Sequence, residues 1–423
     1  MYHILFPISN LTAMNKRELC GTVEKNVEAA VELLARLIEF PSTRGQEQAI
    51  GRFLKTGIEP LVEEAALVAL PDSMMTDPDY SFRLENFRYE GTANLRCRLK
   101  GTGEGKRLAF NTHLDVVPAG PGQGHLFRPE IQEGKIFGRG ACDAKGQIAT
   151  LWLVLKSLHD LKLKPGGDMI FDFVVEEECG GNGTLKIVRD GLTADGAVVL
   201  EPTDLQVAHL VRGAVWFEVQ TRGKAGHSGS PGSTVSALKE SVRVMGAIEK
   251  VRQELLLVSR RAVAEISSHP DPMPCTFGML HSGNWPAAVP SEAVLKGVFG
   301  FLPPFKHRDI QENLRQAVDP FRAEIKFNML NSDPSYIPEQ HPLVQTLVEA
   351  ARDAGLPSRP EFMNASCDSW RYTEQLGIPA VVFGGGTITS AHGPDEYISF
   401  EDVRKAAESL ILFIEKWSGL YHV

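Results

Sequence analysis

The stretch Met169–Gly181, MIFDFVVEEECGG, decides how this chain is read. An almost unbroken apolar run, Met169–Val175, stops at three glutamates, Glu176–Glu178, and a glycine pair follows. A short apolar run bounded by turn residues is the pattern of a strand buried on both faces. Sheets of parallel strands gather their ligands beyond the carboxyl ends of those strands, which is where the glutamates fall. The same grammar recurs on both sides. LAFNTHLDVVP, residues 108–118, runs apolar into His113 and Asp115, and AVVLEP, residues 197–202, runs into Glu201. Between them GRGACDAKG, residues 138–146, places Asp143 just ahead of an apolar-striped helical pattern from Lys145 to Leu158. Strands alternating with helices from Leu108 to Leu200 predict an α/β layer with a mostly parallel central sheet flanked by helices.

Working outward, Val27–Phe40 has helical periodicity and stops at Pro41. After Glu201 the texture changes. Val211–Thr221 reads as a strand, GKAGHSGSPGS as a glycine-rich turn and Thr234–Glu254 as a long helix. Strand-like runs at Thr276–Leu280 and Ala293–Phe301, a helix His307–Val318 and a strand Arg322–Leu330 complete a β-α-β-β-α-β series. That series predicts an inserted α+β, ferredoxin-like domain. The proline-rich NSDPSYIPEQHP returns the chain to helix and strand at Leu343–Ala354, Ala380–Phe383 and Phe400–Trp417. The expected division is a catalytic domain in two parts, 15–207 and 332–423, around an inserted lid or dimerisation domain, 208–331. A chain of 423 residues suits two cores.

Composition narrows the class. With 43% hydrophobic and 23% charged residues, this is the sequence of a globular protein. A net charge of −9 argues against nucleic acid or an anionic membrane surface as partner. No run approaches a membrane span. The N-terminal MYHILFPISNL lacks a basic leader and carries Pro7, so it does not read as a signal peptide, and Met14 is an alternative start. Six scattered cysteines without a CxxC pair fit a reducing, cytoplasmic setting. Cys142 and Cys179 beside the candidate ligands read as small buried residues.

The chemistry lies in five ligand-type residues in order: His113, Asp143, Glu178, Glu201 and, in AHGPDEY, His392. Imidazole and carboxylate suit a borderline divalent cation such as zinc. Two histidines and three carboxylates exceed one open tetrahedral site and match two metals sharing a bridging carboxylate, which points to a hydrolase.

These motifs, from about Val27 to the C-terminus, resemble the M20 family of co-catalytic metallopeptidases and amidohydrolases. That group includes acetylornithine deacetylase, succinyl-diaminopimelate desuccinylase, aminoacylase and carboxypeptidase G. The resemblance implies zinc or cobalt as the two ions, with Asp143 bridging, His113 and Glu201 on one metal, and Glu178 and His392 on the other. It implies that Asp115 accepts the second ring N–H of His113. Glu177 is the implied general base for water attack on an amide of an N-acyl amino acid or related N-acyl amine. Glu176 then becomes a solvated or supporting carboxylate. His227 in GKAGHSGSP matches the histidine that stabilises the oxyanion from a second subunit, which implies a homodimer.

Substrate residues depart from the family pattern. Relatives carry an arginine in a DxR motif where this chain reads GVFGFLPP around Gly300. The GTDxR-like motif reads ASCDSWRY, with Asp368 in place and Arg371 one step late. An amide before Val-Pro is missing from GNWPAAVP, where Asn284 is the substitute. Asn284, Asp368 and Arg371 are therefore the expected substrate contacts. The missing arginines leave three other readings open. These are an exopeptidase or dipeptidase, a deformylase or deacylase of a carboxylate-free amine of the formylaminopyrimidine type, and a non-catalytic metal-binding relative. Trp285 and Trp370 are candidate flat walls for a ring, or core.

Overall fold

The computed structural model describes residues 15–84, 86–229, 232–266 and 269–422. The reading of the N-terminal leader and of Met14 as a start lies outside the described residues.

The Met169–Val174 strand is buried as its composition demands and sits inside a nine-stranded sheet. It pairs in parallel with Leu108–His113, which pairs in parallel with Gly196–Val199, which in turn pairs in parallel with Ala380–Val382. Asp172, the one charge in the run, lies opposite Arg96 of the antiparallel Ala93–Leu99 strand, whose Nε donates to Oδ1 at 2.7 Å. A buried acid inside a strand is tolerable because it is paired. Side-chain alternation divides two cores. Leu108 and Phe110 pack into the larger one, with Phe110 stacked on Phe171 at 5.0 Å, while Ala109 joins Ala197, Val199 and Tyr372 on the opposite face.

Helices Lys16–Ile38, Lys145–Asp160 and Phe400–Ser418 cover the larger core and contact one another. Asn15 and Ser399 cap the first and last of these, each accepting a backbone N–H, at 3.0 and 2.9 Å. The first helix begins eleven residues before the expected Val27, and its early turns bury only Leu19 and Val23 ahead of Ala30. Two strands at the sheet's edge, Glu64–Ala69 and Ala93–Leu99, went unread. The outer one is mostly exposed and carries no clean alternation.

The second sheet has five antiparallel strands. Cys275–Ser282, Glu292–Phe301, Gly213–Arg222 and Ala323–Lys326 lie in that order, and Asn331–Ser332 also pairs with Gly213–Arg222. Helices Ala237–Ala262 and His307–Val318 pack on one face through Val244, Ile248, Ile310 and Leu314 against Val215, Phe217 and Phe299. This is the expected β-α-β-β-α-β arrangement. Val207–Val211 belongs to the large sheet, so the chain crosses between sheets at Arg212 rather than at 208. It returns between Ser332 and Ser335. On the uncovered face Trp216 meets Phe82 edge-on at 6.2 Å, joining the second sheet to a loop of the first.

Candidate active site

His113 ends its strand, Glu176–Glu178 follow the next, and Glu201 lies two residues past the third. Asp143 precedes the Lys145–Asp160 helix, and His392 lies in the loop after Ala380–Val382. The parallel strands therefore deliver all five ligand-type residues to one edge of the sheet. His113 Nε2 stands 2.9 Å from Asp143 Oδ1, and His392 Nε2 stands 3.3 Å from Oδ2 of the same carboxylate. Glu178 Oε1 is 3.0 Å from His392 Nε2, and Glu201 Oε2 is 3.9 Å from His113 Nε2. Two imidazoles thus face the two oxygens of one acid. Ligand atoms of His113, Glu177 and Glu201 lie within 4.8 Å of one another, as do those of His113, Asp143 and Glu178.

Electrostatics show how tightly the acids of this cluster are crowded. Burial, then the charges of Glu201 and Asp368, push the Glu177 carboxyl well above the usual range. Burial does the same to Glu201, with Asp143 and Glu178 adding to it. Burial opposes protonation of His113, but its hydrogen bond to Asp143 and the nearby acids win, and its pKa rises well above normal. Hydrogen bonds to Asp143 and Glu178 lift His392 to about 10. Carboxylates crowded in a dry cleft are stable as anions only beside positive charge, and the nitrogen and oxygen donors fit borderline dications. Neither Cys142 nor Cys179 belongs to the donor groups, and burial pushes both thiols up, away from the thiolate a metal needs.

Asp115 acts differently from the expectation. His113 Nδ1 lies 2.8 Å from the Asp115 backbone carbonyl, while the carboxylate stands off at 3.7 Å. The carboxylate instead accepts the backbone N–H groups of Glu177 and Glu178, both at 3.1 Å. Its nearest hydrogen-bond geometry therefore orients the glutamate loop rather than the imidazole. A carbonyl acceptor still fixes which nitrogen of His113 faces the site.

The three glutamates diverge. Left-handed backbone at Glu176 (φ 60°) turns the chain, and its fully buried carboxylate meets Arg44 Nε at 2.6 Å, Tyr89 Oη at 2.6 Å and Asn182 Nδ2 at 2.7 Å. It is a supporting carboxylate and not a solvated one. The glycine pair explains itself here: a Cβ on Gly181 (φ +69°) would stand 2.0 Å from Asp368 Oδ1. A second buried pair, Arg139–Glu396 at 2.8 Å, ties the Asp143 loop to the His392 loop. Glu396 accepts the N–H groups of Cys142 and Asp143, and Arg139 donates to the carbonyls of His392 and Gly393. Both residues sit inside motifs read for their metal ligands alone, GRGACDAKG and AHGPDEY. Arg44 had no local signal.

Of the expected substrate contacts, Asp368 lines a cleft with Glu177, Leu330, Ser332, Ser366 and Trp370, and it accepts the Thr184 hydroxyl. Arg371 does not face substrate. It is fully buried, donating to the carbonyls of Gly180 (3.1 Å) and Asp79 (3.3 Å) and to Gln375 (3.0 Å), with its guanidinium over the Trp370 ring. One residue of register displacement turned a candidate anchor into a structural brace. His227 lies in a separate two-stranded sheet, where Gly226–His227 pairs with Ala288–Val289, and Asn284 lies in the connection between Cys275–Ser282 and Glu292–Phe301. No hydrogen bond or ion pair joins either to the five ligand-type residues among the described residues. His227 is exposed, and its Nδ1 accepts the Gly229 N–H at 3.0 Å, which leaves Nε2–H as an outward donor. Trp285, next to Asn284, is 69% exposed, whereas Trp370 is buried.

The sequence profile of Peptidase family M20/M25/M40 matches residues 109–416. An acetylornithine deacetylase from Myxococcus xanthus is 29% identical over 341 residues, covering 77% of this chain and 84% of that protein. An N-formyl-4-amino-5-aminomethyl-2-methylpyrimidine deformylase from Halalkalibacterium halodurans is 24% identical over 440 residues, covering 95% and 97%. A tripeptidase from Staphylococcus aureus shares the fold at a TM-score of 0.70 and 18% identity, covering 96% of this chain and 99% of that one.

Proposed function

Because the chain belongs to Peptidase family M20/M25/M40, we propose that it is a two-metal deacylase that cleaves a linear amide of an N-acyl amino acid or N-acyl amine. The observation that carries this is the pair of imidazoles facing the two oxygens of Asp143, with Glu178 and Glu201 alongside. Asp143 is assigned as the bridge, His113 and Glu201 as one ligand set, and His392 and Glu178 as the other. When bound, two divalent ions, zinc or cobalt, would polarise the amide carbonyl and acidify a water between them. Glu177, within 4.8 Å of His113 and Glu201, takes the proton of the attacking water and returns it to the departing nitrogen. Asp115 holds the Glu177–Glu178 backbone in place for this.

His227 is exposed and bonds none of the five ligand-type residues among the described residues, and its free Nε2–H suits an oxyanion in a second copy. A homodimer through the inserted domain follows. The open edge strand Cys275–Ser282, with Met279 49% exposed, and the neighbouring Trp285 support that surface. Residues on the lid and dimerisation domain would then complete the site of the other copy. A reducing, cytoplasmic setting belongs to the same reading and is supported by six free cysteines. No helix among the described residues is long and apolar enough to cross a membrane.

The test is amine release from N-acetyl, N-formyl and N-succinyl compounds and simple dipeptides, with zinc or cobalt added. Turnover of acylated amines supports the deacylase. Turnover of dipeptides alone makes the chain a peptidase with the same site, and silence from metal-loaded protein contradicts the proposal.

A further inference from the structure

A side cavity of about 240 Å³ adjoins the reacting edge and takes no part in the chemistry assigned above. Three of the stretches that bound it stand next to site residues. Pro202 follows Glu201, Thr387 and Ile388 belong to the loop that carries His392, and Ala365 precedes Ser366 of the Glu177 cleft. Its walls are chiefly apolar, from Pro202, Ala208, Phe362, Met363, Ala365 and Ile388. Several polar side chains at its rim are already engaged. Thr203 Oγ1 donates to the Gln206 carbonyl at 2.7 Å, and Gln206 Oε1 accepts the Arg359 N–H at 3.1 Å. Glu361 meets Arg359 at 3.0 Å, and Asn364 Nδ2 donates to the Asp271 carbonyl at 2.9 Å. Ile388 lines the cavity yet is 46% exposed, so an occupant would cover it.

The path of the proton decides which half of an amide this space takes. Glu177 returns a proton to the departing nitrogen, so the amine half belongs on the Glu177 side. The cleft there is polar, with Asp368, Ser332 and Ser366 beside Trp370. Glu177 does not line the side cavity, whose walls stand instead next to Glu201 and in the His392 loop. That leaves the cavity for the acyl half. An apolar space of about 150 Å³ already holds benzene, so this one has room for a phenyl ring or a short alkyl chain.

We infer that this cavity is an acyl-chain pocket, and that the chain acts on amides of apolar acyl groups larger than acetyl, such as hexanoyl or phenylacetyl. This rests on the deacylase reading and narrows the acyl half of its substrate. A formyl or acetyl group leaves the pocket unfilled. A succinyl group sets a carboxylate against Phe362, Met363 and Ile388, where desolvation of the charge opposes binding.

The test follows amine release from N-acetyl, N-butanoyl and N-hexanoyl amides of L-methionine and of 3-(methylthio)propylamine. Metal-loaded parent, Ile388→Asp and Ala365→Leu are compared. In the parent, kcat/KM is expected to climb roughly fourfold for each methylene added. Ile388→Asp should lower the hexanoyl-to-acetyl ratio at least about tenfold. Ala365→Leu takes up part of the space and should shift the preference from hexanoyl toward butanoyl. A flat or falling series in the parent, or the same slope in all three proteins, would overturn the pocket. Calorimetric titration of the acetyl and hexanoyl amides into metal-loaded Glu177→Gln, with and without Ile388→Asp, separates the two claims. Tighter binding of the hexanoyl amide that Ile388→Asp abolishes, with no turnover by any protein, removes the deacylase reading and keeps the pocket. Equal binding of both amides, or binding of neither, overturns the pocket.

Discussion

Glu176 and Glu177 are consecutive in the chain and opposite in fate. Glu176 is fully buried and answered at every oxygen, by Arg44, Tyr89 and Asn182. Glu177 opens toward the cleft among Glu201, Asp368 and Glu178, with no lysine or arginine beside it among the described residues. The protein pairs the acid it uses as framework with an arginine and leaves Glu177, Glu201 and Asp368, around the proposed reacting position, without lysine or arginine ion pairs among the described residues. A fold tolerates repulsion of that kind only where a cation or a reaction makes use of it.

The comparison breaks most sharply at Glu177. Glu177→Gln removes the proton carrier and leaves the ligand set, so amine release should fall at least about 100-fold with metal content unchanged. Turnover equal to the parent would move the base elsewhere. Arg44→Met attacks the other half. It strands a buried carboxylate, and urea unfolding should show a loss of about 3–5 kcal/mol. Adding Glu176→Gln to that variant should recover much of the loss.

Metal removal sharpens the contrast. Loading the chelated protein to about 100 times the dissociation constant should raise stability by about 2.7 kcal/mol for each ion bound. Because burial and repulsion hold protons on Glu177 and Glu201, binding should release protons into a weak buffer, and affinity should rise with pH. A pH-independent affinity would contradict that picture.

The smallest effect concerns Glu47, buried with no cation within ion-pair distance among the described residues, and pushed by burial and by Asp115 to about 9. An unfolded glutamate loses its proton near its ordinary value of 4.5, while the folded one keeps it. The parent therefore loses stability as pH rises between those two values. Glu47→Gln should change little near pH 4.5 and stabilise at pH 8, read from thermal unfolding at both pH values.

Much of this was legible in sequence where local pattern and function coincide. Apolar runs ending in His113, Glu178 and Glu201 gave the parallel core, because a strand buried on both faces has little freedom in composition. His113, Glu178 and Glu201 were legible because each sits at such an ending, and Asp143 and His392 because each stands in a glycine-flanked loop motif. The supporting shell was not. Arg44 lies 132 residues from Glu176, and nothing local links them. The bond from His113 to the Asp115 carbonyl, rather than to its carboxylate, depends on the local turn and leaves no trace in residue identity. Arg371 misled because register decides which side of a short helix a guanidinium meets.

The most direct test of the account is the number of divalent cations bound per chain, by equilibrium dialysis and elemental analysis of chelated and reloaded protein. Two ions are predicted for the parent, and Asp143→Ala should lose both together, since the same carboxylate faces both imidazoles. One ion or none in the parent, or two retained in Asp143→Ala, would contradict it.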